Sequence, residues 1–241
     1  MRAARVFLIA ALSLCSPLIA AAGSDVSPLV IADFDAEPPA TFPSGWQTRS
    51  AQASAARVYQ VASENGERFL HAVAQAEAVQ IGRPVALRLR DYPLLSWRWR
   101  ACELPASADE RAAATNDSAA GVYVVFKGGF AGLLPRALKY VWSARAPRGS
   151  ALASPRYPNV RIVVLESGID AGDTWRSETV NVAEDYRRLF QTDPPDPQGI
   201  AILTDADDTG SRAVADYDDF RALPPPIAAP SSGTQVTRGP R

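Results

Sequence analysis

Apolar and polar residues alternate at short range along most of this chain, in runs broken by Gly, Pro, Asn and Asp. A period of two is the signature of a strand with one buried face, and the punctuating residues supply the turns. The runs at 29–34, 57–62, 68–74, 85–90, 94–101, 119–127, 138–144, 160–167, 174–182 and 199–205 are rich in Val, Ile, Leu, Tyr and Trp. Each is predicted as a strand, because such side chains suit a pleated, half-buried surface. Strands this numerous, with so little helix between them, predict a mostly β fold. The expected form is an antiparallel β-sandwich or jelly roll with one or two short helices, not a βαβ fold. The period changes at 182–190, where Asn181 stands at a cap position with Glu184 three residues later and Arg188 four beyond that. This pattern predicts a capped helix that turns Tyr186, Leu189 and Phe190 toward the core. Residues 109–114 predict a second short helical turn.

The two ends of the chain depart from this pattern. Arg2 and Arg5 precede an apolar run at 6–14, interrupted only by Ser13, and Ala20-Ala21-Ala22 offers small residues for cleavage. That arrangement predicts a secretory signal peptide over 1–22, since the apolar stretch is too short to span a bilayer. Cys15 follows Leu14, whereas lipid attachment wants a small residue directly before the cysteine. Residues 23–28 read as a flexible leader, 29–221 as one β-sandwich domain, and the Pro-, Ser- and Gly-rich 222–241 as a disordered tail. No later stretch is apolar and long enough to be predicted as a membrane span.

Composition narrows the function classes. Lys and Arg number 25 against 26 Asp and Glu, so there is no basic excess to hold nucleic acid. With one histidine and two cysteines, one of them inside the signal, structural zinc and an internal disulfide are both excluded. Cys102 reads as a small neutral thiol. His71 alternates with Phe69 and Val73 and is expected to face the core, which leaves no base for a catalytic triad. No nucleophile elbow, phosphate loop or dinucleotide glycine pattern is present, so no catalytic residue is assigned.

The remaining candidates come from alternation itself. In Trp97-Arg98-Trp99-Arg100 the indoles share one face and the guanidinium groups the other. With the tryptophans in the core, Arg98 and Arg100 must be solvated, paired with a carboxylate such as Asp117 or Glu103, or bound to an anionic or hydroxyl-rich ligand. Tyr140 and Trp142 lie opposite Lys139, either as core aromatics or as a stacking surface for a sugar ring. Asp117, in the turn Asn116-Asp117-Ser118, stands at a strand entrance, where it closes an Asx turn or meets a ligand. The predicted ligand-binding set is therefore Arg98, Arg100, Asp117, Lys139 and Trp142. Asp205, Asp207, Thr209 and Gly210 match the first half of a calcium loop, with Asp216 at the twelfth place. Asp in place of Glu there, Arg212 at the eighth place and the lack of flanking helices rule out an EF-hand. An irregular structural Ca2+ site using Asp205, Asp207, Thr209 and Asp216, with Asp33 or Asp35 as further donors, is one expectation, and a solvated acidic turn the other.

Several phrases together resemble a known family. They are Ala32-Asp33-Phe34-Asp35 with Phe42-Pro43-Ser44-Gly45-Trp46, Leu95-Ser96-Trp97-Arg98-Trp99-Arg100, and Asn116-Asp117-Ser118-Ala119-Ala120 with the strand after it. Lys139-Tyr140-Val141-Trp142-Ser143, Glu184-Asp185-Tyr186, and Thr204-Asp205-Ala206-Asp207-Asp208-Thr209 with Ala215-Asp216-Tyr217-Asp218-Asp219 complete the set. They resemble the DUF3047 family of exported bacterial proteins without an assigned function, over about 29–220. The opening Asp-Phe-Asp phrase and the closing Asp-Tyr-Asp-Asp-Phe strand are also similar to the paired ends of galactose-binding-like jelly rolls, a likeness of fold. A bacterial source implies a periplasmic or secreted protein.

The reading that follows is non-catalytic binding of a carbohydrate or other cell-envelope component, with a small-molecule or glycan ligand. An envelope polysaccharide hydrolase or lyase is the enzymatic alternative, pairing Asp117 with Asp205 or Asp207. A partner-binding scaffold is the third.

Overall fold

The computed structural model describes residues 26–128, 135–168 and 174–226. The signal peptide expected at 1–22 and the tail beyond 226 lie outside the described residues. The strands are β1 (Leu29–Ala32), β2 (Gln47–Thr48), β3 (Tyr59–Glu64), β4 (Glu67–Gln75), β5 (Ile81–Pro84), β6 (Leu94–Glu103) and β7 (Ala120–Gly128). They continue with β8 (Pro135–Ser143), β9 (Ala151–Ala153), β10 (Val160–Ser167), β11 (Arg176–Asn181), β12 (Pro197–Leu203) and β13 (Arg212–Leu223). Two helices, α1 (Gln52–Val58) and α2 (Val182–Phe190), accompany them.

The strands form two stacked sheets. One runs β11-β6-β13-β4-β3, with β1 also paired to β13; the other runs β2-β5-β12-β7-β8-β10-β9. Pairing is antiparallel except between β8 and β10, so the fold is the expected β-sandwich of jelly-roll type. Its core is aromatic. Trp97 and Trp99 from β6 meet edge-on at 5.3 Å, and Trp97 reaches Tyr140 and Phe220 while Trp99 reaches Trp142. A smaller apolar cluster of Ala137, Val141, Val160, Ile162 and Val164 covers the outer face of β8 and β10.

Several elements differ from their sequence expectation for identifiable reasons. The strand expected at 85–90 lies earlier, at Ile81–Pro84. Leu87 and Leu89 are buried as their alternation demands, but Pro84 ends the regular pairing and the chain there turns, with the Leu89 N–H donating to Asp196. Helix α1 occupies the start of the run read as a strand from 57. Its Ala-rich turn buries Ala55 and Val58, and Ala is the strongest helix former. Strand β13 was marked only by the family likeness, because Asp216 and Asp218 mask its period. The faces nonetheless alternate there: Ala215 and Tyr217 join the inter-sheet core, while Asp216 and Asp218, also buried, lie on the other face. Asp219, with φ at 53°, lies where the pairing with β6 shifts register, which turns Phe220 into the core. The strand runs to Leu223, past the boundary expected at 221.

Helix α2 forms as expected: Asn181 Oδ1 accepts from the Glu184 N–H, and Tyr186 is buried. Arg188 pairs with Asp185 at 2.5 Å, not with Glu184. The turn expected at 109–114 appears as a short 3-10 segment, Ala113–Thr115. Among the described residues no helix is long and apolar enough to cross a membrane.

Candidate functional site

On β6 the indoles point inward, which places Arg98 and Arg100 on the outer face of the six-stranded sheet. Neither is open. Arg98 donates to Asp218 and Glu67 at 2.6 Å each, and Arg100 to Asp216 at 2.6 Å and to Glu64 at 3.0 Å. The Trp175 ring lies over both guanidinium groups at 4.9 Å and packs edge-on against Phe69. His71 belongs to this face and not to the core: its Nδ1 lies 2.6 Å from Asp216 Oδ1, and its side chain is 39% exposed. Cys102 Sγ lies 3.6 Å from the other oxygen of the same carboxylate. Burial works against the Arg98 charge, yet hydrogen bonds to Asp218 and Glu67 raise its pKa overall. Burial also lifts Asp218, to about 6, against the pull of Arg98. This face is a closed ladder of ion pairs with an aromatic cover.

A different set converges on the outer face of the seven-stranded sheet. Strands β12 and β7 are antiparallel neighbours, so the end of one lies beside the start of the other. That brings the 116–118 turn against the 204–211 loop, where the Asp205 N–H donates to the Ser118 carbonyl. Asp117, fully buried, holds the loop in shape. Its Oδ1 accepts from the Asp208 N–H, and its Oδ2 from the N–H and hydroxyl of Thr209. Asp117, Asp205 and Asp207 bring carboxylate oxygens within 4.8 Å of one another. Burial pushes Asp205 up to about 8; Lys139 opposes the shift, and Asp117 and Asp207 reinforce it.

Lys139 lies across β7 toward this loop. Its Nζ is 3.1 Å from Ser118 Oγ, and that hydroxyl donates to the buried Glu110. Burial tends to lower its pKa, but Tyr123, Asp205 and Glu110 outweigh it, so the ammonium keeps its charge. Gly121 makes the crossing possible: a Cβ there would come within 3.2 Å of Lys139 Cε and 3.1 Å of the Leu203 carbonyl. Between Tyr123, Lys139, Asp205, Asp207 and Tyr157 opens a cleft of about 90 Å³. Tyr157 is 53% exposed, and Arg156 pairs with Asp208 at the rim. Two buried oxygens here have no hydrogen-bond partner, Asn116 Oδ1 and Asp205 Oδ1.

The five predicted ligand-binding residues therefore do not share a pocket. Lys139 and Asp117 border the cleft region, while Arg98 and Arg100 lie on the opposite side of the sandwich. Trp142 is in the inter-sheet core, donating to the Gly168 carbonyl at 2.7 Å, because period two puts it on the same side as Tyr140. Of the predicted metal donors, Asp205 and Asp207 stand together and Thr209 is bonded to Asp117. Asp216 is corrected out of that group: it lies on β13 in the other sheet, bound to Arg100 and His71. Sequence reasoning passed over three residues that line this cleft, Asn116, Tyr123 and Tyr157. The alternation of Tyr123 against Val122 and Val124 carried the signal for that residue; nothing local marked Tyr157.

Comparison with known proteins adds the following. The sequence model of a family described as "Protein of unknown function (DUF3047)" matches residues 44–221. No curated protein matches the chain. Among solved structures, the chain is similar to the family 11 carbohydrate-binding module of cellulosomal cellulase Lic26A-Cel5E of Clostridium thermocellum. That pair is 8% identical, covers 83% of this chain and 96% of the other, and has a TM-score of 0.44. A non-crystalline cellulose specific carbohydrate-binding module, CBM28, is 12% identical over 79% of this chain and 91% of its own, with a TM-score of 0.40. The family 11 xylanase from Neocallimastix patriciarum is 11% identical over 82% of this chain and 100% of its own, at 0.39. Binding modules and an enzyme stand side by side here, so these likenesses do not decide function.

Proposed function

The chain belongs to the DUF3047 family, and we propose that it is an exported, non-catalytic module that binds a carbohydrate or another hydroxyl-rich component of the cell envelope. The observation that carries this reading is the cleft on the outer face of the seven-stranded sheet. There the exposed Tyr157 stands beside Asp207, Asp208, Arg156 and Lys139. Sugar hydroxyls both donate and accept, which matches carboxylates next to cationic donors. Ring C–H groups favour an aromatic face. On the opposite sheet face the arginines are already paired with carboxylates.

The enzymatic alternative has one observation in its favour, the convergence of Asp117 with Asp205 and Asp207. Glycosidase carboxylates, however, flank the bond they cleave and leave it room. Asp117 instead commits both oxygens to the 204–211 loop, and Asp205 and Asp207 lie side by side.

Calorimetry across a panel of envelope and plant glycans tests the proposal. One glycan class should bind, and Tyr157→Ala should weaken it roughly tenfold, which is about 1.4 kcal/mol. The bound glycan should be recovered uncleaved. Failure of every glycan at millimolar concentration, or full affinity in Tyr157→Ala, contradicts the reading.

A further inference from the structure

We propose that Asp117, Asp205 and Asp207, together with the side-chain oxygen of Asn116, form a binding site for a divalent cation of the Ca2+ type. Three carboxylates come within 4.8 Å of one another there. Acidic residues gather on many surfaces without an ion, so proximity alone decides nothing. The second observation is the pair of orphaned oxygens. Asn116 is only 6% exposed and lines the same cleft as Asp205 and Asp207, yet its Oδ1 meets no donor. Asp205, also 6% exposed, leaves its Oδ1 in the same condition. A buried acceptor without a partner is costly, and a protein rarely leaves two in one place unless something completes them.

A cation fits both the charge and the donor chemistry. Lys139 is the ammonium in this region and is shared, reaching Glu110 through Ser118 on one side and facing Asp205 on the other. A single ammonium is thus divided between Glu110 and the aspartate cluster. The neighbouring Arg156 is paired with Asp208 and Arg111 with Asp109. All four donors are hard oxygens, with no nitrogen or sulfur among them, which favours Ca2+ or Mg2+ over transition metals. Ca2+ tolerates irregular surroundings, whereas Mg2+ demands near-ideal octahedral geometry. Asp117 Oδ1 accepts a single hydrogen bond, from the Asp208 N–H, and keeps a lone pair for a metal. The other donors come from the two segments that Asp117 already ties together. Binding would therefore lock the 204–211 loop onto the start of β7, independently of any glycan.

The test uses the full chain, stripped with EDTA and dialysed. Adding 2 mM CaCl2 should raise the melting temperature by several degrees, with a smaller rise for MgCl2, by mass action on the folded state. Calorimetric titration should give one Ca2+ per chain. Asp207→Asn changes an exposed side chain, and Asn116→Ala removes an acceptor that lacks a partner, so both variants should melt near the parent temperature in EDTA. Each should weaken Ca2+ binding at least tenfold. Asp208→Asn, outside the donor set, should keep it. No rise with Ca2+ and no calorimetric uptake in the parent would overturn the proposal, as would a rise that both Asp207→Asn and Asn116→Ala retain.

Discussion

Asp216 and Asp218 show how a charged residue reaches the middle of a sheet. Each occupies an outward position on β13, at 1% and 2% exposure, and each is matched by an arginine directly across on β6. Removing one partner of such a pair leaves a buried charge uncompensated, at about 3 kcal/mol or more. Arg98→Ala should therefore destabilise the fold by roughly that amount while leaving ligand affinity unchanged, as read by urea melts and calorimetry. Acidity acts on the same pair in a defined direction. Burial holds the Asp218 pKa at about 6, while an unfolded aspartate titrates near about 4. The folded chain thus binds this proton more tightly, and the stabilisation is present below about pH 4 and lost as the pH rises through about 6. Asp218→Asn mimics the protonated form at every pH. Its stability relative to the parent should fall by on the order of 1 kcal/mol between pH 7 and pH 5, because only the parent gains from acidification. A gap that stays constant contradicts this assignment. From sequence, Trp97-Arg98-Trp99-Arg100 gave the correct faces, since alternation is a local property. The identity of the partners was not legible: Glu64, Glu67, Asp216 and Asp218 come from strands whose adjacency to β6 only the assembled sheet reveals.

At the scale of elements, the ends of β12 and β7 make the cleft. Asp117 closes the 204–211 loop with three hydrogen bonds, and Gly121 leaves the space through which Lys139 reaches it. Gly121→Ala should push Lys139 Cε aside and strain the β12–β7 pairing, at about 1–3 kcal/mol. It should also weaken glycan binding, which calorimetry alongside thermal melts would read. Unchanged stability and affinity together would show that the close approach is not tight. Strand β10 and helix α2 were legible to the residue, because a Val-, Ile- and Leu-rich run and a capped helical pattern are each encoded locally in the chain. Residues 85–90 were misread for the opposite reason: the apolar alternation was real, but Leu87 and Leu89 are buried from a turning backbone that no strand pairs. In β13, buried acidic residues on the outer face hid the alternation of inward and outward positions.

For the whole molecule, the two outer faces of the sandwich have different work. One is sealed by Arg98, Arg100, Trp175 and their carboxylates; the other carries the cleft to which we assign recognition. The sandwich itself could be inferred from strand number and punctuation. The site could not, because the strand order β12-β7-β8-β10-β9 brings Asn116, Lys139, Tyr157 and Asp205 together from distant parts of the chain. Sequence reading therefore joined Arg98 and Arg100 to Lys139 and Asp117, though a whole sandwich separates them. This division of labour is most directly tested by NMR shift mapping on the labelled chain during titration with its best glycan. The account predicts perturbations at 116–123, 139, 154–157 and 203–208, with the β6 arginine face silent. Perturbations centred instead on Arg98, Arg100, His71 and Trp175 would contradict it.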